Sequence, residues 1–127
     1  MNSNANTLNW FEISVSDFDR AKKFYETIFD IKMDVMDFGP AKMGMFPMEP
    51  GNGKLSGAIV KSDMHKPSAE GVLVYLNGDP DLQVALSKVI AAGGKIMREK
   101  TQITPELGYM AVMIDTEGNA IALHSNG

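Results

Sequence analysis

The strongest constraint on the fold is an order of elements that occurs twice along the chain. In each half, a strand-like segment precedes an amphipathic helical segment and three further strand-like segments. The halves span about residues 8–62 and 71–125, and a polar linker, about 63–70, joins them. The repeat lies in element order rather than in residue identity, and it predicts two βαβββ modules in a single domain.

The first strand and helix define the two faces of the first module. Along residues 8–15 an apolar set alternates with a mixed set: Phe11, Ile13 and Val15 on one face, Trp10, Glu12 and Ser14 on the other. Ser16 is the predicted N-cap of a helix over residues 16–29, and Asp17 and Asp19 favour the positive end of its dipole.

The second module repeats this pattern over different residues. Residues 71–78 predict a strand, in which Tyr75 shares the helix-facing side with Leu73. Asp79 is the predicted N-cap of a helix that ends at the glycine pair 93–94. Its predicted apolar stripe is Leu82, Ala85, Leu86, Val89 and Ile90.

Two such modules leave one face of each sheet without a helix. These two faces, brought together within one chain or across a dimer, are expected to curl around a cavity, which gives an α+β half-barrel. The mixed face of the first strand, with Trp10, Glu12 and Ser14, is then predicted to line the cavity.

Composition excludes several classes of function. A net charge of -4 argues against nucleic acid and anionic membrane surfaces as partners. The absence of cysteine excludes disulfides and thiolate chemistry. No apolar run is long enough for a membrane span, so a cytoplasmic protein is expected. The ten methionines are interpreted mainly as core filling, with pocket lining as the alternative.

Three stretches carry a resemblance to a known family: WFEISVSDFDRAKKFYETIF at 10–29, AAGGK at 91–95 and GYMAVMIDTEGNAIALHS at 108–125. They resemble the vicinal oxygen chelate superfamily, which includes glyoxalase I, the bleomycin and fosfomycin resistance proteins and the extradiol dioxygenases. The resemblance implies the tandem half-barrel fold. It also implies a homodimer, in which a second copy covers exposed strand edges.

The resemblance further implies where a catalytic metal would bind. The family's ligand positions correspond here to Trp10, Val72, Ala122 and a residue within 58–60. None of these side chains is a donor for a divalent ion. The resemblance therefore predicts a member that lacks the usual metal ligands and has no metal cofactor.

Glu12 and His124 keep the cavity-side parity two residues from the missing ligands. Three interpretations stay open for them: polar groups at the cavity rim, an acid–base pair, or ligands of a shifted divalent-metal site. His65, in the linker, is interpreted as a solvated side chain.

Other candidate ligand-binding residues surround this pair. Trp10 offers a stacking surface or fills the space of a metal, and Ser14 shares its face. Tyr109 is predicted to present its hydroxyl to the cavity at the end of a polar segment, 100–110, that is expected to act as a lid. Arg98 would pair with an anionic ligand or lie on the surface.

The segment DTEGN, residues 115–119, predicts a tight turn between the last two strands. Gly118 suits the left-handed backbone region, and Asp115 can accept hydrogen bonds from the N–H groups of the turn. Structural roles are therefore predicted for Asp115 and Glu117.

Two functional hypotheses follow. The first is a small-molecule-binding protein, similar to the resistance proteins, that holds a partly apolar or aromatic ligand in the half-barrel cavity. The alternative is a lyase- or isomerase-type enzyme that uses Glu12 and His124 as acid–base groups or as shifted metal ligands.

Overall fold

A computed structural model describes all residues, 1–127, and contains two four-stranded sheets. The first module consists of β1 (Trp10–Ser14), α1 (Phe18–Phe29), β2 (Asp34–Asp37), β3 (Lys42–Met45) and β4 (Ser56–Lys61). The second consists of β5 (Val74–Asn77), α2 (Gln83–Leu86), β6 (Lys95–Thr104), β7 (Gly108–Ile114) and β8 (Ala120–Ser125). The predicted βαβββ order therefore occurs twice. Neither helix is long and apolar enough to cross a membrane.

Both sheets share one topology. The strand orders are β1-β4-β3-β2 and β5-β8-β7-β6, so the first strand of each module lies beside its last strand. These two pairs, β1 with β4 and β5 with β8, are parallel, and all other pairs are antiparallel. The crossover that a parallel pair requires begins with the helix in each module.

A single hydrophobic core joins the modules. One cluster of 19 buried residues includes Phe24 and Ile28 of α1 as well as Leu86 of α2 and Leu123 of β8. Separating the modules would expose this shared core, so burial of apolar surface holds them together.

The predicted turn at residues 115–119 is confirmed, and it also connects the modules. Gly118 has a φ of 90°, and the Asp115 carboxylate accepts from the N–H groups of Glu117 and Asn119 at 2.8 and 2.9 Å. The Tyr25 hydroxyl of α1 donates to the same carboxylate over 2.7 Å. The turn thus lies against α1 of the other module.

The predicted N-cap of α1 is wrong. Asp17, not Ser16, is the N-cap, because its side chain accepts from the backbone N–H of Arg20. The N–H groups of Ser16 and Asp17 both donate to the Glu117 carboxylate, at 2.9 and 2.7 Å. A glutamate from the second module therefore completes the cap.

The second helix is much shorter than the periodicity predicts. Only four residues, Gln83–Leu86, are helical, and Asp79 does not cap them. Its carboxylate instead accepts from the backbone N–H of Asn126. Ile90 is 68% exposed, whereas Val89 is fully buried. The Val89 N–H donates to the carbonyl of Leu86, three residues back, and in this tighter turn Val89 stays in the predicted apolar stripe whereas Ile90 leaves it.

The segment at residues 100–110, which was predicted to act as a lid, is mostly strand rather than loop. β6 continues to Thr104 and β7 begins at Gly108, so most of this segment belongs to a long hairpin. The β-branched residues Thr101, Ile103 and Thr104 favour an extended backbone despite the polarity of the segment.

Candidate functional site

Backbone pairing defines the face of the first sheet that is opposite α1. Residues directly opposite each other in neighbouring strands share a face. Glu12 pairs with Ala58, and Ser14 pairs with Val60. On the next strand, β3, Met45 lies opposite Ala58 and Met43 lies opposite Val60. This face, together with its counterpart in the second sheet, is called the helix-free face below. In the first sheet its members are Trp10, Glu12, Ser14, Met43, Met45, Ser56, Ala58 and Val60.

The second sheet contributes Tyr75, Asn77, Arg98, Met110, Val112, Ala120, Ala122 and His124 to the helix-free face. Tyr75 lies on the face opposite to the helix-facing side that was predicted for it. Leu76 lies in the core opposite Leu123, which places its neighbour Tyr75 on the other face, where it is 52% exposed. Tyr75 is thus a candidate site residue that the sequence pattern assigned to the core.

Tyr109 lies on the helix-covered side and not on the helix-free face. It pairs with Ser125, whose hydroxyl accepts from the backbone N–H of Leu82 on the core side. The ammonium of Lys100 lies 4.5 Å from the centre of the Tyr109 ring. The predicted orientation of its hydroxyl toward the cavity is therefore corrected.

Glu12 and His124 lie on the helix-free face, but each has its own hydrogen-bond partner. The Glu12 carboxylate accepts from the indole N–H of Trp10 at 3.2 Å. Nε2 of His124 lies 2.6 Å from the carbonyl oxygen of Leu107, so this nitrogen carries the proton and donates. No hydrogen bond joins the two side chains. Arg98 is exposed and has no ion-pair partner within the chain.

Comparison with known sequences identifies the family. Residues 7–123 match the profile of the Glyoxalase/Bleomycin resistance protein/Dioxygenase superfamily. The chain belongs to this superfamily.

Two curated superfamily relatives carry the name "Putative glyoxylase CFP32", one from Mycobacterium tuberculosis and one from Mycobacterium bovis. Each is 29% identical to the chain over 119 residues, which is 92% of the chain. The chain spans only 44% of the length of these relatives.

Solved structures confirm the fold of the superfamily. A glyoxalase/bleomycin resistance protein from Albidiferax ferrireducens matches with a TM-score of 0.65 and 17% identity, over 96% of this chain and 100% of the other. Glyoxalase I from Zea mays matches with a TM-score of 0.65 and 19% identity, over 92% of this chain and 45% of the other. At these identities the likeness shows the fold alone.

The residues that the resemblance aligns with the superfamily's metal ligands are Trp10, Val72, Ala122 and one residue within 58–60. The helix-free face holds Trp10, Ala58, Val60 and Ala122, and none of these side chains is a donor for a divalent ion. Val72 precedes β5 and is 92% exposed. Nowhere in the chain are three His, Asp or Glu side chains grouped closely enough to hold a metal ion.

Most of the methionines are not core fillers. Only Met33 and Met113 are buried in the core, whereas Met43 and Met45 are half-buried on the helix-free face. Thioether side chains are polarisable and adapt to varied apolar shapes. The interpretation of methionine as core filling is therefore wrong for most of these residues.

A groove of about 430 Å³ is lined by residues of β1 and β4 in the first module and of β5 and β8 in the second. Glu12 and Ser14 line its first side, and Val74 and Ala120 line its second. His65, an exposed linker residue, also lines this groove. The linker thus contributes to the seam between the modules, which no sequence signal indicated.

Proposed function

We propose that this superfamily member binds a small, partly apolar or aromatic molecule on its helix-free face, without a resident divalent metal. The observation that carries the proposal is that an indole and a methyl side chain, those of Trp10 and Ala122, lie on the helix-free face. The resemblance aligns both residues with metal ligands of the superfamily, which supports binding without a metal. Such a surface gains free energy from burial of apolar area, not from coordination.

The neighbouring side chains favour the same class of ligand. Met43, Met45 and Val112 add apolar surface to the helix-free face. Tyr75 and Trp10 supply aromatic faces, and aromatic rings attract other rings beyond the effect of buried area. Polar groups at the margin, those of Ser14 and Arg98 among them, would orient a ligand.

The single tryptophan makes binding directly measurable. We expect bleomycin, chosen because the superfamily includes its resistance proteins, to quench the fluorescence of Trp10. In calorimetry, Trp10→Ala and Tyr75→Ala should each weaken binding about tenfold because a stacking surface is lost.

Tyr109→Phe is the matched control, because this hydroxyl lies on the opposite side of its sheet. The variant should bind as the unmodified protein does. Absence of quenching by bleomycin and by a panel of aromatic compounds would contradict the proposal, as would equal losses in Tyr109→Phe and Tyr75→Ala.

The alternative function is a lyase or isomerase in which Glu12 and His124 act as acid–base groups or shifted metal ligands. Its support is that both side chains lie on the helix-free face. Zinc, nickel and manganese titrations test the metal-binding form of this alternative, because an ion at 100 times its Kd stabilises a fold by about 2.7 kcal/mol. Thermal stabilisation that disappears in Glu12→Ala or His124→Ala would favour the enzyme.

We also propose that the protein forms a homodimer. The outer strands β2 and β6 leave sheet edges unpaired, and Val35, Phe38 and Met97 are exposed near them. A second copy would cover these edges and enclose more of the half-barrel. Solution scattering should give twice the chain mass of 13.8 kDa, and a monomer at micromolar concentration would contradict this expectation.

A further inference from the structure

A larger groove lies between the C-terminal end of α1 and the segment around α2, and of the helix-free face only Ser56 and Asn77 line it. Its volume is about 530 Å³. Six apolar residues form much of its lining: Phe11, Phe29, Ile31, Phe46, Leu55 and Val84. The rings of Phe11 and Phe46 lie 5.7 Å apart at an interplanar angle of 40°, which provides an aromatic surface for a flat apolar group.

Carboxylates outnumber cations around this groove. Asp30, Asp79 and Asp81 line it, whereas Lys88 is its only basic residue. Asp81 forms an ion pair with Lys100 at 2.8 Å, and Asp79 accepts hydrogen bonds from Asn126. The Asp30 carboxylate has neither an ion pair nor a hydrogen-bond partner within the chain.

The position of Asp30 is unfavourable for the stability of α1. It is the C-cap residue, with φ 52° and ψ 54°, a left-handed conformation in which glycine is less strained. The C-terminal end of a helix carries partial negative charge, which repels a carboxylate. The last turn of α1 contains no basic residue to offset this repulsion. A bound cation would offset it.

We propose that this groove binds a small molecule that has an aromatic or apolar body and a cationic amino group, with Asp30 as the charge partner. The apolar lining covers the body of the ligand, and the ammonium group lies at the acidic edge near the end of α1. Trp10 and Tyr75, on which the test of the proposed function depends, do not line this groove, so each proposal can fail without the other.

The test uses three probes that share a phenyl ring and a short chain: 2-phenylethylammonium, neutral 2-phenylethanol and anionic 3-phenylpropanoate. Titrations are followed by backbone amide NMR. The cation should shift the amides of residues 29–31 and 76–88 and should bind about fivefold more tightly than the neutral probe, with the anion weakest.

Asp30→Asn tolerates the left-handed backbone but lacks the charge. It should lose the preference for the cation, a loss of about fivefold in affinity. Asp30→Gly should show the same loss together with a higher melting temperature, because it removes both the strain and the repulsion. A gain in stability with a loss of binding distinguishes a ligand-binding role from a structural one.

A matched pair of lysine variants tests the place of binding. Val84 lines the groove and is 59% exposed, so Val84→Lys should fold and weaken cation binding about tenfold through charge repulsion. Ile90→Lys adds the same charge at an exposed site outside the groove lining and should leave binding unchanged. Equal affinity for the three probes, no shift of the groove amides by the cation, or unchanged binding in Asp30→Asn would overturn the proposal.

Discussion

Replacing Asp115 with alanine is expected to destabilise the protein by about 4 kcal/mol, because several buried donors would lose their acceptor. Asp115 is buried, and its carboxylate accepts from the Tyr25 hydroxyl, from the backbone N–H groups of Glu117 and Asn119, and from the Asn119 amide. Burial raises the pKa of Tyr25, and the Asp115 carboxylate raises it further, so the phenol stays protonated and donates. Urea denaturation measures the loss.

Two variants separate the contributions within this network. Tyr25→Phe removes a single donor and should cost about 1–2 kcal/mol. Asp115→Ala should destabilise the Tyr25→Phe variant less than it destabilises the unmodified protein. The reason is that the Tyr25 hydroxyl, one of the donors that would lose its acceptor, is already absent. If Asp115→Ala destabilises less than Tyr25→Phe, the network does not hold the modules together as described.

Replacing Glu117 with glutamine is expected to destabilise the protein by about 3 kcal/mol at pH 7 and to flatten its acid dependence. Burial by itself raises the pKa of Glu117, but the hydrogen bonds from Arg20 and from Asp17, Thr116 and Ser16 outweigh it and lower the pKa to about 2. The Arg20 guanidinium lies 2.8 Å from the carboxylate, whose side chain has no exposed surface.

The sign of the pH dependence follows from this lowered pKa. The folded state binds the Glu117 proton more weakly than the unfolded state, whose pKa is near 4.5. The stabilisation is therefore complete above about pH 5 and is lost as the pH falls from 5 toward 2. The urea midpoints of the unmodified protein and Glu117→Gln should differ by a similar amount at pH 7 and pH 5. The difference should become smaller at pH 3.

Glu106→Gln serves as the control for Glu117→Gln. Glu106 is an exposed glutamate in the turn between β6 and β7 and has no ion pair. Its replacement should leave both the stability and its acid dependence unchanged. A parallel acid dependence in the unmodified protein and Glu117→Gln would show that other carboxylates cause the acid transition.

Several features that depend on near neighbours in the chain were predicted correctly. The alternation along β1 separates Ile13 from Glu12 and Ser14 because successive side chains of a strand point to opposite faces. The turn at 115–119 needs only a residue that tolerates positive φ at Gly118 and a nearby acceptor at Asp115. The strand and helix order follows from the same short-range patterns.

The prediction for α2 failed because its backbone depends on contacts with distant residues. The Leu82 N–H donates to the hydroxyl of Ser125, 43 positions away in sequence. Asp79, the expected N-cap, instead bonds Asn126 near the C-terminal end of the described chain. Helical periodicity in 79–92 could not indicate either contact.

The orientations of Tyr75 and Tyr109 depended on strand register, which a single sequence does not show. In each strand a shift of one residue exchanges the two faces, and the register that buries Leu76 and Met113 in the core decides between them. The aromatic part of the candidate site changed accordingly, with Tyr75 gained and Tyr109 lost.

The sequence by itself determined the repeated βαβββ order, the turn at Gly118 and the alternation of faces along β1, because these depend on residue identity and local geometry. Only the tertiary structure decided that Glu117 caps α1, that Glu12 and His124 each bond elsewhere, and that an acidic groove adjoins Asp30. These features join residues that are distant in sequence, and they exist only once the shared core has brought the two modules together.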